Sequence, residues 1–371
     1  MRIKNGLVFR ENATFARTDL AFDETITYIG TIDGEADLDA EGKYIIPGLV
    51  DIHSHGAVNA DASDGDAEGL ARMSGYYADR GVTSWCPTTM TLPGDILVDA
   101  MHAIRDFRTE GANCVGIHLE GPFLSTAKKG AQAGEYLRKP DPELFYRLME
   151  ESGNQVRMIT VAPEEEGAME FIRQVSRDCT VSLGHSAADY DTAMRAFENG
   201  ASHITHMFNG MNGLHHREPG IIGAAYDAGA SVELICDGLH IHPSAVRMAH
   251  QLFDGRLALI SDSMRCAGMP DGDYSLGGQP VLVRNGKATL EDGTLAGSSI
   301  HLMDALQRFA DFGIPFEKAV LAATFVPAKV IGMENEIGRL KVGCRADLLI
   351  LDEKKRLETV IIGGKIRNNN R

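Results

Sequence analysis

The chain has 371 residues, enough for one large α/β barrel with a smaller appendage, and its 44% hydrophobic and 24% charged residues are globular values that exclude a disordered chain. A formal net charge of −16 argues against nucleic acid or an anionic membrane surface as the main partner. No run approaches the ~18 apolar residues that span a bilayer.

The start, Met1-Arg2-Ile3-Lys4-Asn5-Gly6, lacks the apolar core of a signal peptide, so the expected compartment is the cytoplasm. Six cysteines (Cys86, Cys114, Cys179, Cys236, Cys266, Cys344) occur without CxxC spacing. Neither a disulfide framework nor a thiolate zinc site is expected from them.

In chain order, residues 1–49 hold short extended segments, Gly6-Leu7-Val8-Phe9 and Thr25-Ile26-Thr27-Tyr28-Ile29, set off by Asn, Asp and Gly. They read as β structure with tight turns. The C-terminal segment reads the same way, with Arg345-Ala346-Asp347-Leu348-Leu349-Ile350-Leu351-Asp352 and Thr359-Val360-Ile361-Ile362-Gly363-Gly364-Lys365 as strand, turn, strand. Residues 1–49 and 334–371 are therefore expected to build one small β-sandwich domain. Between them, apolar runs at 50–55, 82–86, 114–120, 157–162, 181–185, 203–207, 231–236 and 257–262 alternate with helical patterns such as 94–110. Eight such units predict a (β/α)8 barrel over residues 50–333. No glycine-rich dinucleotide fingerprint follows a strand and no P-loop is present, which disfavours those α/β alternatives. Residues 263–299 are glycine-rich, with turn signals at Gly277-Gly278, Asn285-Gly286 and Asp292-Gly293, and read as a hairpin-bearing insertion. Helices are expected again at 299–313 and 315–332.

Side chains at the carboxyl ends of barrel strands converge on one mouth. Those positions hold His53 and His55 on strand one, Glu120 on strand three, His185 on strand five, His206 on strand six and Asp262 on strand eight. All six are metal-ligand types. Taken singly each has a plain structural reading, but six at one topological level point to a divalent-metal site. Because a catalytic zinc usually takes three protein ligands plus water, the count suits two ions per chain, with Glu120 placed to bridge them. Metal-assisted hydrolysis follows, with Asp262 as the candidate to move the proton. Zinc fits best, while iron, manganese and cobalt accept the same donors.

The Asp51-x-His53-x-His55 motif, the ligands on strands five and six and the Asp on strand eight resemble the amidohydrolase superfamily. More narrowly, His118-Leu119-Glu120-Gly121-Pro122-Phe123, Gly184-His185-Ser186, Thr205-His206-Met207-Phe208-Asn209-Gly210-Met211, His215-His216-Arg217-Glu218-Pro219-Gly220 and Asp237-Gly238-Leu239-His240 resemble the N-acetylglucosamine-6-phosphate deacetylase family. The resemblance covers essentially the whole chain. It implies hydrolysis of a phosphorylated N-acetylhexosamine to the amine and acetate, in amino-sugar catabolism. It also implies Glu120, His185 and His206 as principal metal ligands, Asp262 as general base and acid, and Asn209, Gly210, Arg217 and His240 as substrate contacts. A homodimer is implied, with a neighbouring subunit helping to complete the phosphate pocket. His53 and His55 place the chain with the two-metal members. Gln132 follows Lys129-Gly130-Ala131 where other members carry a carbonyl-polarising histidine; its amide donates a hydrogen bond but carries no charge.

Two other readings compete: an N-acetylgalactosamine-6-phosphate deacetylase, and a cyclic-amide hydrolase of the dihydroorotase kind, whose relatives bridge their metals with a modified lysine on strand four. The segment Arg157-Met158-Ile159-Thr160-Val161 offers no such lysine. A non-enzymatic scaffold on the same fold would tolerate lost ligands, and none is missing. His118 shares a face with Glu120 and is left between support for a ligand and core packing.

Overall fold

The structure, a computed structural model, describes residues 1–367. Its centre is a parallel barrel of eight strands: β1 (Leu49–Ser54), β2 (Val82–Thr89), β3 (Ile117–Glu120), β4 (Val156–Val161), β5 (Thr180–Leu183), β6 (His203–Ile204), β7 (Ser231–Ile235) and β8 (Leu257–Ile260). Consecutive strands pair in parallel from β1 to β8. A seam closes β8 on β1, where Asp262 N donates to His53 O at 2.9 Å, His55 N to Ser263 O at 2.8 Å and Ser261 N to the Asp51 carboxylate at 3.3 Å.

One helix follows each strand: α1 (Ala67–Ala78), α2 (Gly94–Asp106), α3 (Pro142–Glu151), α4 (Ala168–Val175), α5 (Tyr190–Glu198), α6 (Gly220–Ala228), α7 (Pro243–Leu252) and α8 (Leu302–Asp311). Local sequence explains where they start. Asp141 caps α3 by accepting from Glu143 N and Leu144 N, and Pro142 occupies the first turn, where its missing N–H costs nothing. Leu144, Phe145, Leu148 and Met149 then fall on the buried face. Two shorter helices, Phe316–Ala323 and Phe325–Val330, replace the single helix expected at 315–332. The break falls at Thr324, three residues before Pro327, which has no N–H to continue the ladder.

Strands from both ends of the chain join in one sheet, and Tyr44–Pro47 knits it together, pairing in parallel with Arg2–Phe9 and antiparallel with Leu348–Leu351. Phe15 and Tyr44 pack this sheet against Phe316, with ring centroids 6.0 and 6.2 Å away. The strand Phe15–Phe22 escapes the sequence reading because Arg17, Thr18 and Asp19 interrupt its apolar pattern. Residues 368–371, expected to belong to this sheet, lie outside the described residues.

The 263–299 insertion forms a three-stranded meander, Gly272–Leu276, Gln279–Arg284 and Lys287–Thr289. Its hairpins turn where the sequence signals them, with positive φ at Gly277, Gly278, Asn285 and Gly286. Its apolar side, with Leu276, Val281 and Val283, packs on Met90, Met264 and Cys266 beside the barrel mouth. Among the described residues, no helix is long and apolar enough to cross a membrane.

Three barrel strands are shorter than expected. Residues 185, 206 and 262 read as strand ends, yet the ladders stop at Leu183, Ile204 and Ile260. The cause is backbone: His185, His206 and Asp262 have φ of 47°, 27° and 47°, in the left-handed region where a ladder cannot continue. The run expected at 114–120 is likewise interrupted, because Asn113–Cys114 pairs with β2 separately from Ile117–Glu120.

Candidate active site

Left-handed backbone at a non-glycine residue typically costs about 1–3 kcal/mol and persists where its surroundings over-determine it. Here it occurs at three side chains that meet over the barrel mouth. Two glycines make room for them. A Cβ at Gly210, itself at φ 58°, would lie 2.9 Å from His185 Nδ1, and one at Gly297 would lie 2.6 Å from Asp262 O.

All six residues expected as ligands converge. Glu120 stands between two histidine pairs: Oε1 lies 2.8 Å from His206 Nε2 and 3.1 Å from His185 Nε2, and Oε2 lies 3.3 Å from His55 Nε2. The two histidines of each pair are 3.1 Å (His185, His206) and 3.3 Å (His53, His55) apart at Nε2. Asp262 Oδ1 lies 3.4 Å from His55 Nε2 and 3.6 Å from His53 Nε2. Donors bonded to one tetrahedral zinc at about 2.0–2.1 Å stand about 3.3–3.4 Å from one another, so both groups have the spacing of a coordination shell.

The chemistry of the donors fits a cation as well. Nδ1 of His55 is 3.0 Å from Thr88 O, Nδ1 of His185 is 2.9 Å from Lys128 O, and Nδ1 of His53 is 2.8 Å from Glu233 Oε2. Those partners accept, so each Nδ1 carries a proton and each ring turns its Nε2 toward its neighbours. Lone pairs facing one another at such distances repel unless a proton or a metal lies between them.

Electrostatics runs the same way. Burial works against a charge on Glu120, but His185, His53 and His206 overcome it and hold the carboxyl well below its ordinary range. Burial also opposes charge on Asp262, and His53 and His55 outweigh it. The His206 ring, pushed down by burial and up by Glu120, rises to about 9. Three buried carboxylates, Glu120, Asp262 and Glu233, thus keep positive charge in the centre.

The centre floors a cavity of about 270 Å³. Gln132, Asn209, Gly210 and His240 line its walls, as expected, and Leu276 and Leu295 of the insertion complete them. His240 Nδ1 bonds Asp237 at 2.7 Å, so Nε2 is the ring atom left for a ligand. Gln132 is more constrained than the sequence suggests: its amide N–H donates to Glu120 Oε2 at 2.5 Å while its oxygen accepts from Thr91 N at 2.8 Å. Arg217 is not brought to this cavity. It lies exposed on the loop between β6 and α6, its guanidinium 2.7 Å from His216 Nε2.

Glu233 went unread, although an ionisable residue between Val232 and Leu234 in an apolar strand is itself the signal of a buried polar role. His118 supports no ligand by hydrogen bond. It stacks edge-on against His53 at 4.5 Å and bonds Thr160 at 2.7 Å, within a hydroxyl chain that runs on to Thr205 and Ser182.

The N-acetylglucosamine-6-phosphate deacetylase of Bacillus subtilis (strain 168) is 38% identical over 333 residues, which cover 87% of this chain and 84% of the relative. The N-acetylgalactosamine-6-phosphate deacetylase of Escherichia coli O157:H7 is 35% identical, with 88% of each chain covered. A solved structure of a mutant N-acetyl-D-glucosamine-6-phosphate deacetylase from Mycobacterium smegmatis, in complex with N-acetyl-D-glucosamine-6-phosphate, superposes with a TM-score of 0.91 at 30% identity over 98% of both chains. Residues 44–367 match the amidohydrolase family, and the chain belongs to that family.

Proposed function

We propose that this chain is a divalent-metal-dependent deacetylase that hydrolyses N-acetyl-D-glucosamine 6-phosphate to D-glucosamine 6-phosphate and acetate in amino-sugar catabolism. The observation that carries the reading is the Glu120 carboxylate held between two histidine pairs, with Asp262 facing one of them, at the floor of a cavity sized for one sugar. His53, His55, Glu120 and Asp262 would hold one ion, and Glu120, His185 and His206 the other, zinc being the metal their donor set suits first. Divalent cations there lower the pKa of a water toward ~7 and polarise an acyl oxygen.

The chain's own residues do the rest. Asp262 takes the proton of the attacking water and returns it to the departing amine, so that the amine leaves neutral. His240, steadied by Asp237, and the Asn209-Gly210 segment hold the sugar. Gln132 orients Glu120, and its amide nitrogen also donates to Met90 Sδ at 3.9 Å, a weak contact that a substrate oxygen would replace. In a homodimer, the exposed His215-His216-Arg217 segment is free to reach a phosphate in its own or a neighbouring cavity. Absence of any lysine on β4 weighs against the lysine-bridged cyclic-amide hydrolases.

Acetate release measured across phosphorylated and free N-acetylglucosamine and N-acetylgalactosamine tests the reading, and strong preference for a phosphorylated N-acetylhexosamine is expected. A charge-assisted phosphate contact contributes about 1.5–3 kcal/mol. Arg217→Ala should therefore lower kcat/KM for the phosphorylated sugar about 10- to 150-fold and barely change the free sugar. Equal loss on both substrates would reassign Arg217 to structure or the dimer, and no phosphate preference in the wild type would overturn the substrate assignment.

Metal stoichiometry tests the centre separately. Metal-replete protein should carry two ions per chain, and replacing His53 and His55 together by Ala should leave one. One ion in the wild type, unchanged in the double variant, rejects the two-ion arrangement.

A further inference from the structure

Glu233 lies in the middle of β7, with no exposed surface, and none of its partners is a lysine or arginine. A carboxylate so placed is costly unless its surroundings satisfy it. Its partners are all parts of the candidate centre or its support. Oε2 accepts from His53 Nδ1 at 2.8 Å and from the backbone N–H of His206 at 3.0 Å, and Oε1 lies 3.3 Å from His203 Nε2. The Glu233 carbonyl also accepts from Met207 N at 2.9 Å.

One oxygen atom therefore touches a ring from one histidine pair and the main chain of the other. Each contact has a separate consequence. Accepting from Nδ1 fixes His53 as the tautomer whose Nε2 is free for the centre. Accepting from His206 N, with the Glu233 carbonyl on the next residue, pins the turn at φ 27° that carries the His206 ring over the mouth.

We propose that Glu233 is a positioning residue that sets the metal affinity of both histidine pairs together, by holding the His53 tautomer and the His206 backbone through a single carboxylate. The inference rests on the two-ion reading above. It extends that reading to a residue buried beneath the centre that contacts neither ion nor substrate.

Glu233→Leu is the discriminating variant, because it keeps an apolar bulk in the strand while removing the oxygen that accepts from both partners. An amide would not discriminate, since the single oxygen of Gln, placed where Oε2 stands, accepts from His53 Nδ1 and His206 N alike. The full-length protein, stripped of metal, is titrated with zinc alone by calorimetry. Both binding steps should weaken by about 10- to 100-fold, the range typical of partners that orient metal ligands. Weakening of only one step, or of neither, overturns the coupling.

A second measurement does not depend on the variant folding. In zinc-loaded wild type, nitrogen-15 spectra should place a hydrogen-bonded proton on His53 Nδ1 and the metal on Nε2. The reverse assignment overturns the role of Glu233 outright. If the wild type instead binds one zinc with His53 unbound, the two-ion reading has failed; Glu233→Leu must then still weaken the remaining step through His206, and unchanged affinity refutes the proposal on its own account.

Discussion

Replacing Asp262 by Asn should lower turnover by about 10²- to 10⁴-fold, the usual worth of a positioned general base, while substrate binding survives. Asn matches the shape of Asp and lacks the basic oxygen. The native carboxyl is ionised in its site, because the attraction of His53 and His55 outweighs the burial that opposes its charge. Oδ1 faces those two rings, so the substitution touches a ligand position as well as a proton carrier. Metal content measured beside the rate separates the two effects: a slow enzyme that keeps both ions has lost proton transfer, and one that has shed an ion has lost a ligand. Near-normal turnover with full metal would exclude Asp262 as the shuttle.

Glu120→Gln should do more damage, because the Glu120 carboxylate faces the Nε2 atoms of both histidine pairs. Oε1 lies nearest His206 and His185 and Oε2 nearest His55, and an amide offers one neutral oxygen where two anionic ones stood. Both ions should be lost, and activity should fall to that of protein treated with a chelator. Adding zinc back should restore the chelated wild type and not the variant. The substitution also leaves His53, His55, His185 and His206 without their shared countercharge. Removing one partner of a buried charged pair typically costs about 3–5 kcal/mol, so the metal-free variant should melt well below the metal-free wild type. A variant that retained two ions would show that Glu120 is not shared.

How far the site could be read from sequence depends on which physical pattern carried each residue. His53 and His55 are legible because a strand alternates faces, and the six candidate ligands because barrel topology delivers strand ends to one mouth. The same logic misplaces the strand ends themselves. Nothing in the local sequence around His185, His206 or Asp262 announces a left-handed residue, since the contacts that hold it come from elsewhere: Glu233 on β7 for His206, and the seam with β1 for Asp262. Gln132 was legible as a neighbour of the reaction, but its grip on Glu120 and Thr91 depends on a loop geometry that no motif encodes. Arg217 shows the opposite limit. Its motif reads as phosphate recognition, while the single chain leaves it in solvent.

The terminal sheet has a consequence for how this molecule is made on the ribosome. Tyr44–Pro47 gains its second neighbour only when Leu348–Leu351 has been synthesised. At about 5–20 residues per second, the strand waits roughly 15–60 s with one edge unpaired. Throughout that interval Ile45 and Ile46, completely buried in the finished protein, border an open row of backbone donors and acceptors, the kind of template on which neighbouring nascent chains pair. The barrel segments emerge within the same interval, so docking of Phe15 and Tyr44 on Phe316 comes late in the order of synthesis as well. Shielding of that edge during translation, more than the stability of the finished barrel, should therefore govern the yield of soluble protein when expression is fast.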